Sequence, residues 1–234
     1  MEIQIGVAKI NKYASSESGD TLEIIERPAG GLSVVLADGQ RSGKSAKRIS
    51  NIVVRKVISL LAEGVRDGAA ARAASDYLFS HRSGKVQSTL NILSIDLETN
   101  TLVISRNNPI PMILGNGKSI QLLDEESKPV GVYRNTKPVI TELNLEKGLT
   151  VIAFSDGLTD AGLRQTRNLD LESIVSGLLA DDKSAQEIAD HLMDSALEVD
   201  QGRPIDDTSI VVLRVVPFEN DWVRRMSVRF PLKK

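Results

Sequence analysis

The chain has 234 residues, with 29 Lys and Arg against 31 Asp and Glu, and 41 % of it is hydrophobic. That length suits one domain, or one with a small appendage, and suffices for a sizeable core. The near-zero net charge of −2 argues against general nucleic-acid binding, the absence of Cys excludes disulfides, zinc–thiolate and iron–sulfur sites and a thiol nucleophile, and two histidines (His81 and His191) cannot build a three-histidine metal site.

The first residues, Met1 to Gly6, carry no basic segment followed by a long apolar run, and no stretch approaches the ~18 apolar residues of a membrane span. The expectation is a cytoplasmic protein with no membrane and no nucleic-acid partner. Only eight residues are aromatic, so the core has to come from Val, Ile, Leu and Ala. Alternating β-branched residues predict strands at Glu2–Ile10, Leu22–Glu26, Leu32–Ala37, Ser88–Leu97 and Leu102–Arg106, then at Pro138–Leu143, Leu149–Phe154 and Ser209–Val215. Pro28 to Gly31 and Asp96 to Thr101 read as hairpin turns. Helical period appears from Ser45 to Glu63, where Ala46, Ile49, Val53, Val57 and Leu60 form one stripe, and again from Asp67, read as an N-cap, to Phe79. Two more helices are expected at Leu171–Leu179 and Ala185–Leu197, the latter opened by the capping-box spacing of Ser184 and Glu187. Helices in pairs, rather than singly between strands, favour an α+β fold with antiparallel sheet and helices on its outer faces. Residues 217–234 form an extension, an edge strand or a tail, in which Arg224, Arg225, Arg229, Lys233 and Lys234 read as solvated.

Four acidic sites sit at strand ends. Asp38-Gly39 closes Leu32–Ala37, Asp156-Gly157 follows Leu149–Phe154, Asp206-Asp207 precedes Ser209–Val215 and Gly19-Asp20 precedes Leu22–Glu26. Antiparallel pairing sets the C-terminal end of one strand beside the N-terminal end of its neighbour, so all four can share one rim of the sheet. A hairpin centred between Ala29 and Gly30 would place Asp20 opposite Gly39 and Asp38 opposite Thr21. Carboxylates crowded there raise one another's pKa, and a divalent cation removes that cost; an all-oxygen donor set suits Mg²⁺ or Mn²⁺. The Gly after Asp38 and after Asp156 would let the backbone turn sharply and free a carbonyl for an ion. Taken singly, each Asp-Gly is ordinary turn chemistry; the four together carry the metal reading.

Ser18-Gly19-Asp20, Ala37-Asp38-Gly39-Gln40-Arg41-Ser42-Gly43, Phe154-Ser155-Asp156-Gly157-Leu158 and Asp206-Asp207-Thr208-Ser209 resemble the metal-binding motifs of the protein phosphatase 2C (PP2C) superfamily, and within it the bacterial SpoIIE class. In motif order and strand context the resemblance runs from about residue 3 to residue 216. In length the chain is most similar to RsbX-type stand-alone phosphatases of the stressosome. The resemblance implies a four-layer α/β/β/α sandwich of two antiparallel sheets flanked by helix pairs, occupying residues 1–216. It further implies hydrolysis of phosphoserine or phosphothreonine on a protein, with a STAS-domain regulator of a stressosome or anti-sigma pathway as substrate. Asp38 would bridge two Mn²⁺ or Mg²⁺ ions, with Asp20 and the Gly39 carbonyl on one and Asp156 and Asp206 on the other; Asp38 and Asp156 would hold the attacking water. Asp207, next to a ligand, is a further candidate. Arg41, Ser42 and Gly43 are candidate contacts for the substrate phosphate, and Arg41 stands where many relatives have Gly. The Asn-Ala-Gly-His-type segment of relatives appears as Arg106-Asn107-Asn108-Pro109, without a carboxylate for a third ion. Lys12 lies near the position of a phosphate-binding Arg in the eukaryotic branch, although a solvated surface Lys is the simpler reading.

Two other functions compete. One is a catalytically inactive binding module of the same fold. The other is a P-loop nucleotide enzyme, suggested by Gly39 to Ser45 after a strand and before a helix; yet only three residues separate Gly39 from Gly43, and a P-loop needs four. Gly115 to Ser119 fails the same motif and reads as a turn. His81 and His191 read as surface residues.

Overall fold

The computed structural model describes residues 1–117, 119–218 and 222–232. Ten strands and two pairs of longer helices follow one another as β1 (Glu2–Ile10), β2 (Asp20–Glu26), β3 (Leu32–Asp38), α1 (Gly43–Ala62), α2 (Asp67–Arg82), β4 (Leu90–Asp96), β5 (Thr101–Asn107), β6 (Met112–Asn116), β7 (Ser119–Leu123), β8 (Val139–Asn144), β9 (Leu149–Phe154), the single turn α3 (Asp156–Thr159), α4 (Leu171–Ala180), α5 (Ala185–Val199) and β10 (Thr208–Val216). The strands form two five-stranded sheets, ordered β1-β10-β9-β6-β7 and β2-β3-β4-β5-β8, with every pairing antiparallel.

Strand periodicity divides the apolar residues between layers. In β3, Val34 and Leu36 face the opposite sheet while Val35 and Ala37 face α1 and α2; in β9, Val151 and Ala153 face inward while Ile152 and Phe154 face α4 and α5. Three apolar layers result: one between the sheets and one beneath each helix pair. Each fully buried Leu or Ile in them contributes about 1.5–3 kcal/mol. The predicted four-layer α/β/β/α sandwich is therefore the fold.

Differences from the sequence reading are local. The stripe on α1 ends at Leu61, which is fully buried, rather than Leu60. Asp67 is the first residue of α2 and Arg66 its N-cap; the Asp67 carboxylate is used instead for a 2.7 Å ion pair with Arg27. Ser184 and Glu187 form the expected reciprocal capping box on α5. The expected turn from Gly115 to Ser119 joins β6 and β7, two strands too short, and too interrupted by Pro109, Pro111 and Gly115, to announce themselves; its Lys118 lies outside the described residues. His81 and His191 are exposed. Residues 222–232 form no strand and lie exposed, with Arg224 3.4 Å from Glu26; Lys233 and Lys234 lie outside the described residues. Among the described residues no helix is long and apolar enough to cross a membrane.

The β2–β3 hairpin departs from its expected register by one residue. Glu26 pairs with Leu32 and Asp20 pairs directly with Asp38, not with Gly39. The turn is one residue shorter than the expected Pro28–Gly31, closing at Gly31, because Gly30 and Gly31 both adopt left-handed φ, 81° and 84°, and the Arg27 amide donates to the Gly31 carbonyl at 3.1 Å. The correction matters because residues opposite each other in a sheet project to the same face.

Candidate metal centre

Asp20 and Asp38 extend the inward-facing series of Leu22, Ile24, Val34 and Leu36, so both carboxylates enter the gap between the sheets at one rim. Asp156 reaches that rim as the first residue of α3, immediately beyond β9, and Asp206 lies just before β10, the antiparallel neighbour of β9. The structure thus brings together Asp20, Asp38, Asp156 and Asp206, and their charges act on one another. Burial, followed by the charges of Asp20 and Asp156, pushes the Asp38 carboxyl up to about 9. Burial and then Asp206 push Asp156 up to about 6. Asp20 is fully buried, and that burial raises its pKa although Ser155 Oγ donates to its Oδ2 at 2.8 Å.

Three glycines let the motif segments close on each other, and none does so by turning with positive φ, contrary to the sharp turn expected at Gly39 and Gly157. A Cβ on Gly39 would stand 2.0 Å from the Ala46 carbonyl oxygen, one on Gly19 2.7 Å from Ala46 Cβ, and one on Gly157 2.3 Å from the Asp207 carbonyl oxygen. Gly19 and Gly39 therefore seat the Asp20 and Asp38 segments on the first turns of α1, and Gly157 seats α3 on the Asp206-Asp207 segment. The carbonyl of Asp38 accepts from the Thr89 amide at 2.9 Å and from Ser88 Oγ at 2.6 Å. Gln40 N donates to the Gln87 carbonyl on the same edge, so antiparallel geometry turns the Gly39 carbonyl to the other edge, the one along which β2 pairs with β3.

Asp207 does other work. Its Oδ1 accepts from the Lys12 amide at 2.9 Å and its Oδ2 from the Gly19 amide at 2.8 Å. It is buried and spent on tying the β1–β2 connection to the start of β10. Lys12 is half-exposed, with Nζ 3.7 Å from Asp206 Oδ2, so it lies on the rim rather than free in solvent. Arg41 is exposed in a left-handed conformation, φ 76°, and Ser42 caps α1 without a side-chain bond. The first amides of α1 are consequently open beside the rim, an arrangement suited to an anion. Arg106 and Asn107 serve structure: the Arg106 guanidinium donates to the carbonyls of Asn108 and Glu125, and Asn107 Nδ2 to those of Lys128 and Lys137.

Two lysines at the site escaped the sequence reading, and Ser155, quoted there within a motif, was given no role. Lys9 Nζ and Lys47 Nζ donate to the Asp20 carbonyl at 2.6 and 2.7 Å. Burial, and then the Lys47 charge, lower Lys9 to about 8. Ser155 Oγ bridges the two sheets, donating to Asp20 and accepting from the Ser209 amide at 2.9 Å. The phase of β1 held a clue to Lys9, because Ile3, Ile5, Val7 and Lys9 share one face and the first two pack between the sheets.

The donor set fits a hard divalent cation. Asp20 Oδ1 is buried without a hydrogen-bond partner, and Asp38 is pressed by like charges. Among the described residues no three acidic or histidine side chains converge as a ready-made cage. An all-oxygen set of carboxylates and a backbone carbonyl, completed by water, suits a cation such as Mg²⁺ that keeps several of its waters.

The sequence from residue 28 to residue 216 matches the model of the family "Stage II sporulation protein E (SpoIIE)". The chain belongs to the SpoIIE family. It is 25 % identical over 215 residues to stage II sporulation protein E of Bacillus subtilis (strain 168), covering 91 % of this chain and 26 % of that one. The chain thus spans about a quarter of the length of that SpoIIE relative. Among solved structures, the PP2C phosphatase domain of SpoIIE from Bacillus subtilis gives a TM-score of 0.79 at 24 % identity, covering 92 % of this chain and 64 % of that one. RsbX in complex with magnesium gives 0.71 at 20 % identity, covering 91 % and 95 %. The SpoIIE-type PP2C phosphatase fold read from the motifs is the one observed. A P-loop is excluded by the same fold, since β3 is antiparallel to both its neighbours and delivers a carboxylate where a phosphate cradle would begin.

Proposed function

We propose that this chain is a Mn²⁺- or Mg²⁺-dependent protein serine/threonine phosphatase, with residues 1–216 as the phosphatase domain and 217–234 as an extension. The observation that carries the reading is the rim of mutually repelling carboxylates around Asp38, in which Asp20 Oδ1 is buried without a partner. Asp38 would bridge two ions, with Asp20 and the Gly39 carbonyl on one and Asp156 and Asp206 on the other. When bound, such ions lower the pKa of water and neutralise phosphoryl oxygens for in-line attack. The chain's own residues do the positioning. Lys9 and Lys47 fix the Asp20 backbone, Ser155 orients its carboxylate, Thr89 and Ser88 hold the Asp38 carbonyl, and Asp207 pins the Gly19 amide. Arg41 and the amides of Ser42 and Gly43 receive the substrate phosphate at the open start of α1.

The favoured substrate is a phosphorylated STAS-domain regulator of a stressosome or anti-sigma pathway in the cytoplasm, supported by the likeness to RsbX and the SpoIIE phosphatase domain. The test is phosphate release from phosphorylated STAS proteins with added Mn²⁺, wild type beside Asp156→Asn. Release that requires the metal, stops with chelator and is lost in Asp156→Asn is the expected result. Partner binding that survives Asp38→Asn and Asp156→Asn, with no turnover under any metal, would make the chain a binding module of the same fold.

A further inference from the structure

Two helices, α1 on one face of the sandwich and α5 on the other, carry opposite charge. From Gly43 to Ala62, α1 holds Lys44, Lys47, Arg48, Arg55 and Lys56 and no acidic residue, in a chain whose net charge is −2. On the other face α5 holds Glu187, Asp190, Asp194 and Glu198 and neither Lys nor Arg. Helix stability does not account for the cations of α1. Lys44 and Lys47 stand near the N-terminus, where the helix dipole disfavours positive charge, and Lys44 repels Arg48 one turn on.

Two of the five cations have local work. Lys47 binds the Asp20 carbonyl and Lys56 lies over the Tyr77 ring, 5.6 Å from its centroid. The others form a stripe. Lys44, Arg48 and Arg55 are exposed and follow helical spacing along one face, led by Arg41 at the rim of the metal centre and flanked by Arg82 from the end of α2. From Lys44 to Arg55 the stripe is ~16 Å long at 1.5 Å per residue. Arg48, Asn51, Ile52, Arg55 and Arg82 line a shallow hollow of about 280 Å³. Among the described residues none of the stripe's cations forms an ion pair.

We propose that this stripe is the docking surface for an acidic segment of the phosphoprotein substrate, laid along α1 with the phosphorylated residue at the rim. The proposal rests on the phosphatase reading and adds the chemistry of the substrate: negative charge ahead of or behind the phosphoserine, at the distance of Arg48, Arg55 and Arg82. Unpaired cations beside a site for a dianionic ester raise the local concentration of an acidic partner and select it over a neutral one.

The experiment uses two phosphoserine peptides, one with a run of Asp roughly six residues (~20 Å of extended chain) from the phosphoserine, the other with Gln in those places. With Mn²⁺ at low salt, the full chain should hydrolyse the acidic peptide with a kcat/KM about tenfold higher, mostly through KM, and ~0.5 M NaCl should erase the advantage. The triple variant Arg48→Glu, Arg55→Glu, Arg82→Glu should lose the preference while hydrolysing p-nitrophenyl phosphate as the wild type does. Equal kcat/KM for the two peptides in the wild type would overturn the docking surface, as would a preference that survives the triple reversal. Should the wild type hydrolyse neither the peptides nor p-nitrophenyl phosphate with any metal, the phosphatase reading fails by itself. Fluorescence anisotropy of the labelled acidic peptide then decides the docking: binding lost in the triple variant supports it, and equal binding overturns it.

Discussion

The two sheets contribute unlike halves to the same rim. The β2–β3 half supplies Asp20 and Asp38 from paired strand positions, on the face that lines the inter-sheet core, and Asp20 is wholly buried. The β9–β10 half supplies Asp156 from the first turn of a four-residue helix and Asp206 from a loop, with a third of the Asp206 side chain exposed. Burial pushes Asp38 up to about 9 but Asp156 only to about 6. The first half is therefore a buried pair of carboxylates whose charge the core resists, and the second a more accessible jaw whose Asp156 is ionised at neutral pH. A cation relieves the first half more, so stability and activity should answer differently to changes in the two.

The largest contrast is expected from Asp38→Asn. Turnover should fall about a thousandfold or more, roughly 4 kcal/mol of barrier, while the metal-free protein becomes more heat-stable at pH 8 because Asn, unlike Asp38, needs no proton uptake on folding at that pH. Asp156→Asn should cost comparable activity with a smaller gain in metal-free stability; equal gains would erase the distinction between the halves. Paired activity assays and thermal melts read both.

A second test is pH with and without metal. Between the ordinary Asp value of 3.8 and about 9, folded Asp38 holds a proton that the unfolded chain has released, so the folded state binds more protons and stability falls as pH rises. Metal-free melts should accordingly drop from pH 5 to pH 8, and Mn²⁺ should restore the loss at pH 8. Metal binding should weaken as pH falls below about 9, where Asp38 takes up its proton, and further through about 6, where Asp156 does.

Smaller effects follow where the halves touch. Gly157→Ala would put a Cβ 2.3 Å from the Asp207 carbonyl oxygen and should destabilise by about 1–3 kcal/mol, as overpacking does. Ser155→Ala removes the hydroxyl that joins Asp20 to the Ser209 amide. It should cost about 1–3 kcal/mol in denaturant titration and weaken metal binding at Asp20. Smallest of all, Lys183→Ala breaks an i,i+4 ion pair with Glu187 in which both side chains are exposed; a change under ~0.5 kcal/mol would confirm that charge matters here at the rim and not at large.

Much of this was legible from residue types alone. The alternation in Glu2–Ile10, the apolar run Leu149–Phe154 and the Ser184–Glu187 cap are local signals, and local physics fixed those elements within a residue or two. The motif aspartates were visible for the same reason, each standing at the end of a strand that its neighbours define. What remained hidden depended on partners far along the chain. Lys9 and Lys47 are unremarkable in sequence, Ser155 stands in a motif that does not disclose its role, and all three meet Asp20 only because strands and a helix separated by up to 135 residues close on one rim.

Chain chemistry by itself thus determined the strands, the helix pairs and the four acidic strand ends, since periodicity and turn-forming residues act over a few positions. Only the folded arrangement decided that Asp20 faces Asp38, because two left-handed glycines in a tight turn set the register. It also decided that Asp207 ties backbone together beside Asp206, since neighbouring residues with the same side chain acquire different roles from what surrounds them.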